Sequence, residues 1–331
     1  MKRVLIIATG GTIASTSDGA GLTPTATGRE LADKVPLLDE LAELDFVQPM
    51  NIDSTNMRPR DWLRIRDVIV EAYDRYDGFV VLHGTDTMAY TAAALSYLIQ
   101  DSGKPIVLTG SQQPMASPFT DAKLNLYQAV LYATDDASRD VSVVFSGKVI
   151  AGTRAHKQRT MSFNAFTSMN YPSLAYIRND RIVRAGAAPS ALAESGLPRF
   201  YDSMDEHVIV LKLTPEFQPT IFELLKRDYD AIILETFGIG GIPDVLRDAI
   251  FGWVDSGRTL VVTTQVPEEG LDLGVYEVGR AFAENPGILK GDDMTTEALV
   301  AKTMWALGQS RDPRVVRDLF YREINHDRMP R

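Results

Sequence analysis

The chain has 331 residues, 45% of them hydrophobic and 24% charged, with a formal net charge of −10 and a pI near 5.0. Such a composition suits a packed globular protein of about two domains and argues against disorder. The acidic balance weighs against a nucleic-acid partner, and the lack of any cysteine excludes disulfides, a thiol nucleophile and cysteine-based zinc.

Met1-Lys2-Arg3 has the basic start of a secretory leader, but the apolar run behind it is short and ends in Gly10-Gly11. No stretch approaches the roughly 20 apolar residues of a membrane helix. The expectation is a soluble, cytoplasmic protein. The first predicted strand is VLIIA (4–8), and a second strand around 44–50 ends in Asn51. Helical faces follow at Trp62, Ile65, Ile69, Ala72 and Tyr73, then at Met88, Ala92, Leu95 and Ile99, then at Leu124, Tyr127 and Leu131. Between and beyond them lie FVVLH (79–83), PIVLTG (105–110) and VSVVFSG (141–147). Apolar runs without polar alternation are what strands buried on both faces look like, and their alternation with helices predicts a mostly parallel α/β sheet.

Residues 186–205, rich in Ala, Ser, Pro and Gly, read as a connection. Beyond them come HVIVLKL (207–213), AIILETFG (231–238) and TLVVTTQ (259–265), with helical stretches near 216–227, 244–255 and 294–307. The expected fold is therefore α/β: a larger N-terminal, mostly parallel sheet domain flanked by helices (1–185) and a smaller C-terminal α/β domain (206–331).

Ligands of open parallel sheets bind outside the carboxyl ends of the strands. There the sequence places Thr9-Gly10-Gly11-Thr12, Asn51-Ile52-Asp53-Ser54-Thr55, His83-Gly84-Thr85-Asp86-Thr87 and Thr109-Gly110-Ser111. This is an edge of small residues, hydroxyls and a few carboxylates. It lacks the Gly-Lys-Ser/Thr of a phosphate loop and the spaced third glycine of a dinucleotide fingerprint. A bare Gly-Gly turn is often structural. The alternative is a hydroxyl nucleophile, which needs an activating base and backbone N–H groups aimed at the developing oxyanion. Thr12 and Thr85 offer the hydroxyls, Asp86 a carboxylate, and Lys157 a cation. Each also has a plainer reading: Asp86 or Thr87 as a helix cap, Asp53 as a turn former, His83 as a packed strand residue, and Lys157 as part of a solvated basic stretch with Arg154, His156 and Arg159. Met161, Phe163 and Phe166 read as core, and the four histidines form no metal-ligand pattern.

Thr9-Gly10-Gly11-Thr12-Ile13-Ala14-Ser15 and Leu82-His83-Gly84-Thr85-Asp86-Thr87-Met88-Ala89-Tyr90-Thr91 resemble the two signatures of the bacterial-type L-asparaginases. Asn51 to Met57, Lys104 to Gln112 and Gly291 to Ala298 match as well, and the likeness is closest to the type I, cytoplasmic branch. The resemblance implies hydrolysis of L-asparagine to L-aspartate and ammonia, with no cofactor and no metal. It implies Thr12 as nucleophile, with Thr85, Asp86 and Lys157 as the second catalytic set. Asp86 would hold the substrate's ammonium, and Ser54 and Thr55 its carboxylate, with Asp53, Gly11, Gly84 and Thr85 also lining the site. A homodimer or dimer of dimers is implied too.

Two departures stand out. Leu22 occupies the place of a tyrosine that commonly assists the nucleophile, within a Thr16–Gly28 segment expected to act as a lid. Val266 and Glu235 replace the cysteine and arginine of an asparagine-activation site, so no such activation is expected. Two other readings remain: the amidase subunit of a glutamine-dependent tRNA amidotransferase, which carries an extra N-terminal domain where here the motif begins at Thr9, and a non-catalytic amino-acid sensor.

Overall fold

The apolar run after Met1 forms strand β1 (Lys2–Ala8), whose last five residues are buried. It is the second strand from the edge of an eight-stranded sheet in a computed structural model that describes residues 1–17, 22–24, 27–184, 197–274 and 277–329. The chain divides into two units, Met1–Asp202 and Ser203–Arg331.

In the first unit, β1 is flanked by β2 (Ala42–Val47) and β3 (Gly78–Leu82), followed outward by β4 (Ile106–Thr109) and β5 (Val141–Phe145). These five strands are parallel. Their order, 2-1-3-4-5, reverses direction between β1 and β3, and that reversal opens a crevice at the carboxyl ends of those two strands. Three antiparallel strands extend the sheet: β6 (Lys148–Ala151), β7 (Ala175–Arg178) and β8 (Arg181–Arg184). Their short polar-flanked sequences lack the uninterrupted apolar signature of the parallel strands, so pattern reading passes over them.

Helix α1 (Pro59–Ala72) buries Trp62, Ile65, Ile69 and Ala72, the face its spacing predicts, and starts with a proline at its first turn. Helix α2 (Met88–Leu98) is buried almost all round. Helix α3 (Ala122–Ala133) differs from expectation. It buries Ala122, Leu126, Ala129, Val130 and Ala133 against Ile6, Val80, Val107 and Val144, while Leu124 is exposed. Small alanines let this helix lie close to the sheet, so the largest side chains do not mark its inner face. The strand expected at 44–50 ends earlier, at Val47. Part of the 186–205 connection lies outside the described residues; within the remainder, Arg199–Phe200 pairs antiparallel with Ile99–Gln100.

The second unit holds a four-stranded parallel sheet in sequential order: β9 (Val208–Lys212), β10 (Ala231–Thr236), β11 (Thr259–Thr264) and β12 (Ile288–Lys290). Helices α4 (Arg247–Asp255), α5 (Thr296–Gln309) and α6 (Pro313–Tyr321) accompany it, and Trp253, Phe222, Leu246 and Phe282 form its core with the strands. The stretch near 216–227 contains a short helix, Thr220–Leu225. Among the described residues no helix is long and apolar enough to cross a membrane.

Candidate active site

The two glycines after β1 are required by their geometry. Gly10 has φ +107° and Gly11 φ +80°, in the region that side chains avoid. A Cβ on Gly11 would lie 2.4 Å from both the Cα and the N of Gly84, so the backbones of the first and second loops touch there. Thr12 and Thr85 directly follow these two contacting glycines. The third loop joins through a ladder: Ile52 N donates to Thr9 O at 2.9 Å and Gly11 N to Ile52 O at 3.1 Å. Gly84 in turn faces Ser54, whose Oγ would lie 2.6 Å from an added Cβ. Any side chain on Gly11 or Gly84 would force these loops apart.

Thr85 is buried and Asp86 is exposed, one residue apart. Lys157 lies on a short strand, Ala155–Lys157, paired antiparallel with Phe166–Ser168, and that pairing aims its side chain at the second loop. Its Nζ donates to Thr85 Oγ1 at 2.8 Å and to Asp86 Oδ1 at 2.5 Å. Lys157 is therefore no part of a freely solvated basic stretch; its side chain is only 17% exposed.

The plainer readings divide. His83 is a packed strand residue: it is fully buried, and burial pulls its imidazole down to about 4, so it is neutral near pH 7. Trp62 Nε1 donates to Thr91 Oγ1 (3.0 Å), Thr91 donates to His83 Nε2 (2.9 Å), and His83 Nδ1 donates to Gly84 O (2.7 Å). Indole can only donate and a carbonyl can only accept, which fixes the imidazole tautomer in between. Thr87 stands at the N-cap of α2 but does not cap it; its hydroxyl donates to Ser54 O at 2.7 Å and ties the second loop to the third. Asp53 is a turn former, accepting from Thr55 N at 2.9 Å and from Thr55 Oγ1 at 3.0 Å. Ser54 is buried, whereas Thr55 is exposed.

Of the three residues expected in the core, only Phe166 is there, packed against Phe145 with ring centroids 5.0 Å apart. Met161 is 85% exposed and Phe163 42%. They sit on the loop that returns from Lys157 to Phe166, where the chain need only close the turn. Leu22 lies in a short strand, Leu22–Pro24, paired with Ser15–Ser17. Residues 18–21 and 25–26 of the expected lid lie outside the described residues.

Gln112 belongs to the site but was not singled out from sequence. Its Oε1 accepts from Thr85 Oγ1 at 3.2 Å and its Nε2 donates to Ser162 O at 3.3 Å. Its position just after β4, at a third strand end beside the crevice, was the available signal. Elsewhere, in the second unit, Asp205, His207 and Asp230 form the one group among the described residues spaced to hold a cation, but Arg311 already pairs with both carboxylates.

The fold defines a class, two-unit α/β proteins with a crevice at the strand ends, and the family models and relatives make this one an amidohydrolase. The chain belongs to the asparaginase family: residues 3–188 match the N-terminal asparaginase domain and residues 207–320 the glutaminase/asparaginase C-terminal domain. It is 37% identical to the L-asparaginase of Thermococcus kodakarensis over 97% of this chain and 98% of that protein. The solved structure of the T. kodakarensis enzyme superimposes with a TM-score of 0.91 at 35% identity, covering 99% of this chain and all of that one. One component of the glutamyl-tRNA(Gln) amidotransferase of Pyrococcus furiosus is 33% identical over 95% of this chain and 74% of its own length. A structure from Campylobacter jejuni described as a probable cytoplasmic L-asparaginase matches with TM-score 0.82 and 25% identity, over 98% of this chain and all of that one.

Proposed function

We propose that this chain hydrolyses L-asparagine to L-aspartate and ammonia. Thr12 Oγ attacks the side-chain amide carbon, the C–N bond breaks, ammonia leaves, and water then cleaves the aspartyl ester. Thr85, Asp86 and Lys157 manage protons around this exchange, and backbone N–H groups near Thr12 and Thr85 stabilise the oxyanion. Asp86 pairs with the substrate's α-ammonium; Ser54 and Thr55 hold its α-carboxylate, with Asp53, Gly11 and Gly84 shaping the floor. The observation that carries the reading is the contact of Gly11 with Gly84, which sets the two threonine-bearing loops side by side, together with the bonds from Lys157 Nζ to Thr85 and Asp86. An exposed carboxylate beside donor groups suits a zwitterionic amino acid. Similarity to the L-asparaginase of T. kodakarensis supports the choice of amide.

The same proposal includes a homodimer or dimer of dimers, no activation by asparagine through the region of Glu235 and Val266, and a cytoplasmic location in keeping with the C. jejuni relative. Ammonia release by the wild-type protein, measured separately on L-asparagine and L-glutamine, tests the function. Turnover of asparagine with a higher kcat/KM than glutamine is expected. Turnover of glutamine alone would move the reading toward amidotransferase chemistry, and turnover of neither would overturn it.

A further inference from the structure

Thr85 has one hydroxyl hydrogen and two lone pairs, and its neighbours fix where each points. Lys157 Nζ, 2.8 Å away, donates to the oxygen. Gln112 Oε1, 3.2 Å away, can only accept, so the hydrogen of Thr85 points to it. The orientation of the glutamine amide is itself determined, because its Nε2 faces the carbonyl of Ser162 and a flipped amide would set two acceptors against each other.

Gln112 is held from behind. Its backbone N donates to both oxygens of Asp121 (3.1 and 3.0 Å), and Gln113 N donates to Asp121 Oδ1 at 3.0 Å. Asp121 stands at the start of α3 and accepts from Asn125 Nδ2 at 3.0 Å. Asn125 also donates to Gly110 O and accepts from Ser146 N, tying the assembly to the ends of β4 and β5. A glutamine serving only to fill space would not need a backbone clamp, a fixed amide and a bond to a buried hydroxyl.

We infer that Gln112 is a positioning residue for the amidohydrolase reaction: it holds the Thr85 hydroxyl so that its oxygen faces Lys157 and its hydrogen is turned away until substrate is bound. Passing that hydrogen toward Lys157 breaks one hydrogen bond, Thr85 to Gln112, and makes another, so the glutamine sets the direction from which proton transfer starts. This rests on the proposed roles of Thr85 and Lys157.

The test compares Gln112→Met, which keeps length but removes the acceptor, with Gln112→Glu, which keeps an acceptor for Thr85 and gives up the donor to Ser162. Steady-state asparagine hydrolysis and melting temperature are measured for both, with Lys157→Met alongside. A kcat at least tenfold lower in Gln112→Met, with KM within about twofold, a melting temperature near wild type, and recovery of most of the lost kcat in Gln112→Glu, is expected. Unchanged kcat in Gln112→Met, equal impairment of both variants, or a loss carried by KM would overturn the inference. Full turnover by Lys157→Met would instead overturn the underlying assignment of Lys157.

Discussion

The two parallel sheets end in similar residues and use them differently. At the carboxyl edge of the second unit, Thr236 Oγ1 donates to Thr263 O (2.7 Å), Thr264 Oγ1 donates to Gly238 O (2.5 Å), and Glu235 Oε1 accepts from Thr296 Oγ1 (2.6 Å). Both strand-end threonines there give their hydrogen to a backbone carbonyl, and the carboxylate binds the first turn of α5. At the crevice of the first unit, Thr85 is shared by two side chains, Gln112 and Lys157, and Lys157 also reaches an exposed Asp86. A threonine bonded to backbone is mortar. One poised between an amide and an ammonium can exchange a proton.

The lysines repeat the contrast. Lys302 and Asp327 form an ion pair with no exposure on either side chain, and Lys302 also donates to Arg322 O. Burial pulls the Lys302 ammonium down to about 8, against the opposing pull of Asp327. Beside it, Arg328 bonds Asp292 (2.7 Å) and Phe320 O (2.9 Å), so these pairs fasten the final residues of the chain to α5, α6 and the turn after β12. Lys157 and Asp86 make a pair of the same chemistry, open on the carboxylate side.

Exchanging each lysine for methionine should separate the two roles. Lys157→Met is expected to lower kcat by about 10²–10⁴-fold, the usual reach of a proton-transfer group, with little change in unfolding free energy. Lys302→Met is expected to do the reverse, costing about 3–5 kcal/mol by leaving Asp327 charged and buried while the folded fraction keeps its kcat. Denaturant unfolding beside steady-state kinetics reads both, and matching effects from the two variants would erase the distinction.

Gly11→Ala sharpens the comparison at the backbone level. The left-handed φ alone costs about 1–2 kcal/mol, and the added carbon meets Gly84 backbone, so activity should fall more than tenfold. Gly257 also has positive φ but nothing within 4 Å of an added Cβ, so Gly257→Ala should cost about 1 kcal/mol and leave turnover intact. Thr236→Val, on the structural edge, is expected to cost about 1 kcal/mol without touching kcat.

One further effect of similar size lies away from both edges. Burial, aided by Asp101, raises the Asp140 carboxyl to about 6. Between the ordinary value of 3.8 and about 6 the folded chain binds a proton that the unfolded chain has released, so this group's stabilisation is complete below 3.8 and lost as pH rises through 6. Asp140→Asn should therefore raise the melting temperature by a few degrees near pH 7.5, about 1 kcal/mol, and by nothing near pH 3.5. An equal gain at both values would mean that the carboxyl's ionisation is not what the substitution removes.

Much of this was legible in the sequence, for physical reasons. The parallel strands announce themselves because burial on both faces demands unbroken apolar runs, and Gly10-Gly11 announces a backbone contact that no side chain tolerates. Lys157 stood as a candidate cation for Asp86 beside its plainer reading as a solvated residue, since nothing in its neighbours Arg154, His156 and Arg159 tells a buried amine from a solvated one; its bonds to Thr85 and Asp86 decide it. Gln112 was missed because a single glutamine has no periodicity and its importance depends on two partners far along the chain, Thr85 and Ser162. The added strands β6 to β8 escaped for a similar reason: strands of four residues carry little hydrophobic pattern.

The most direct measurement of the central claim is asparagine turnover by Thr12→Ala, with asparagine binding followed by calorimetry on the same preparation. If Thr12 is the attacking hydroxyl, ammonia release falls by at least a thousandfold while asparagine still binds, because the groups proposed to pair with the substrate's charges, Asp86, Ser54 and Thr55, lie on the other loops. Turnover close to wild type in Thr12→Ala would contradict that role and move the nucleophile elsewhere.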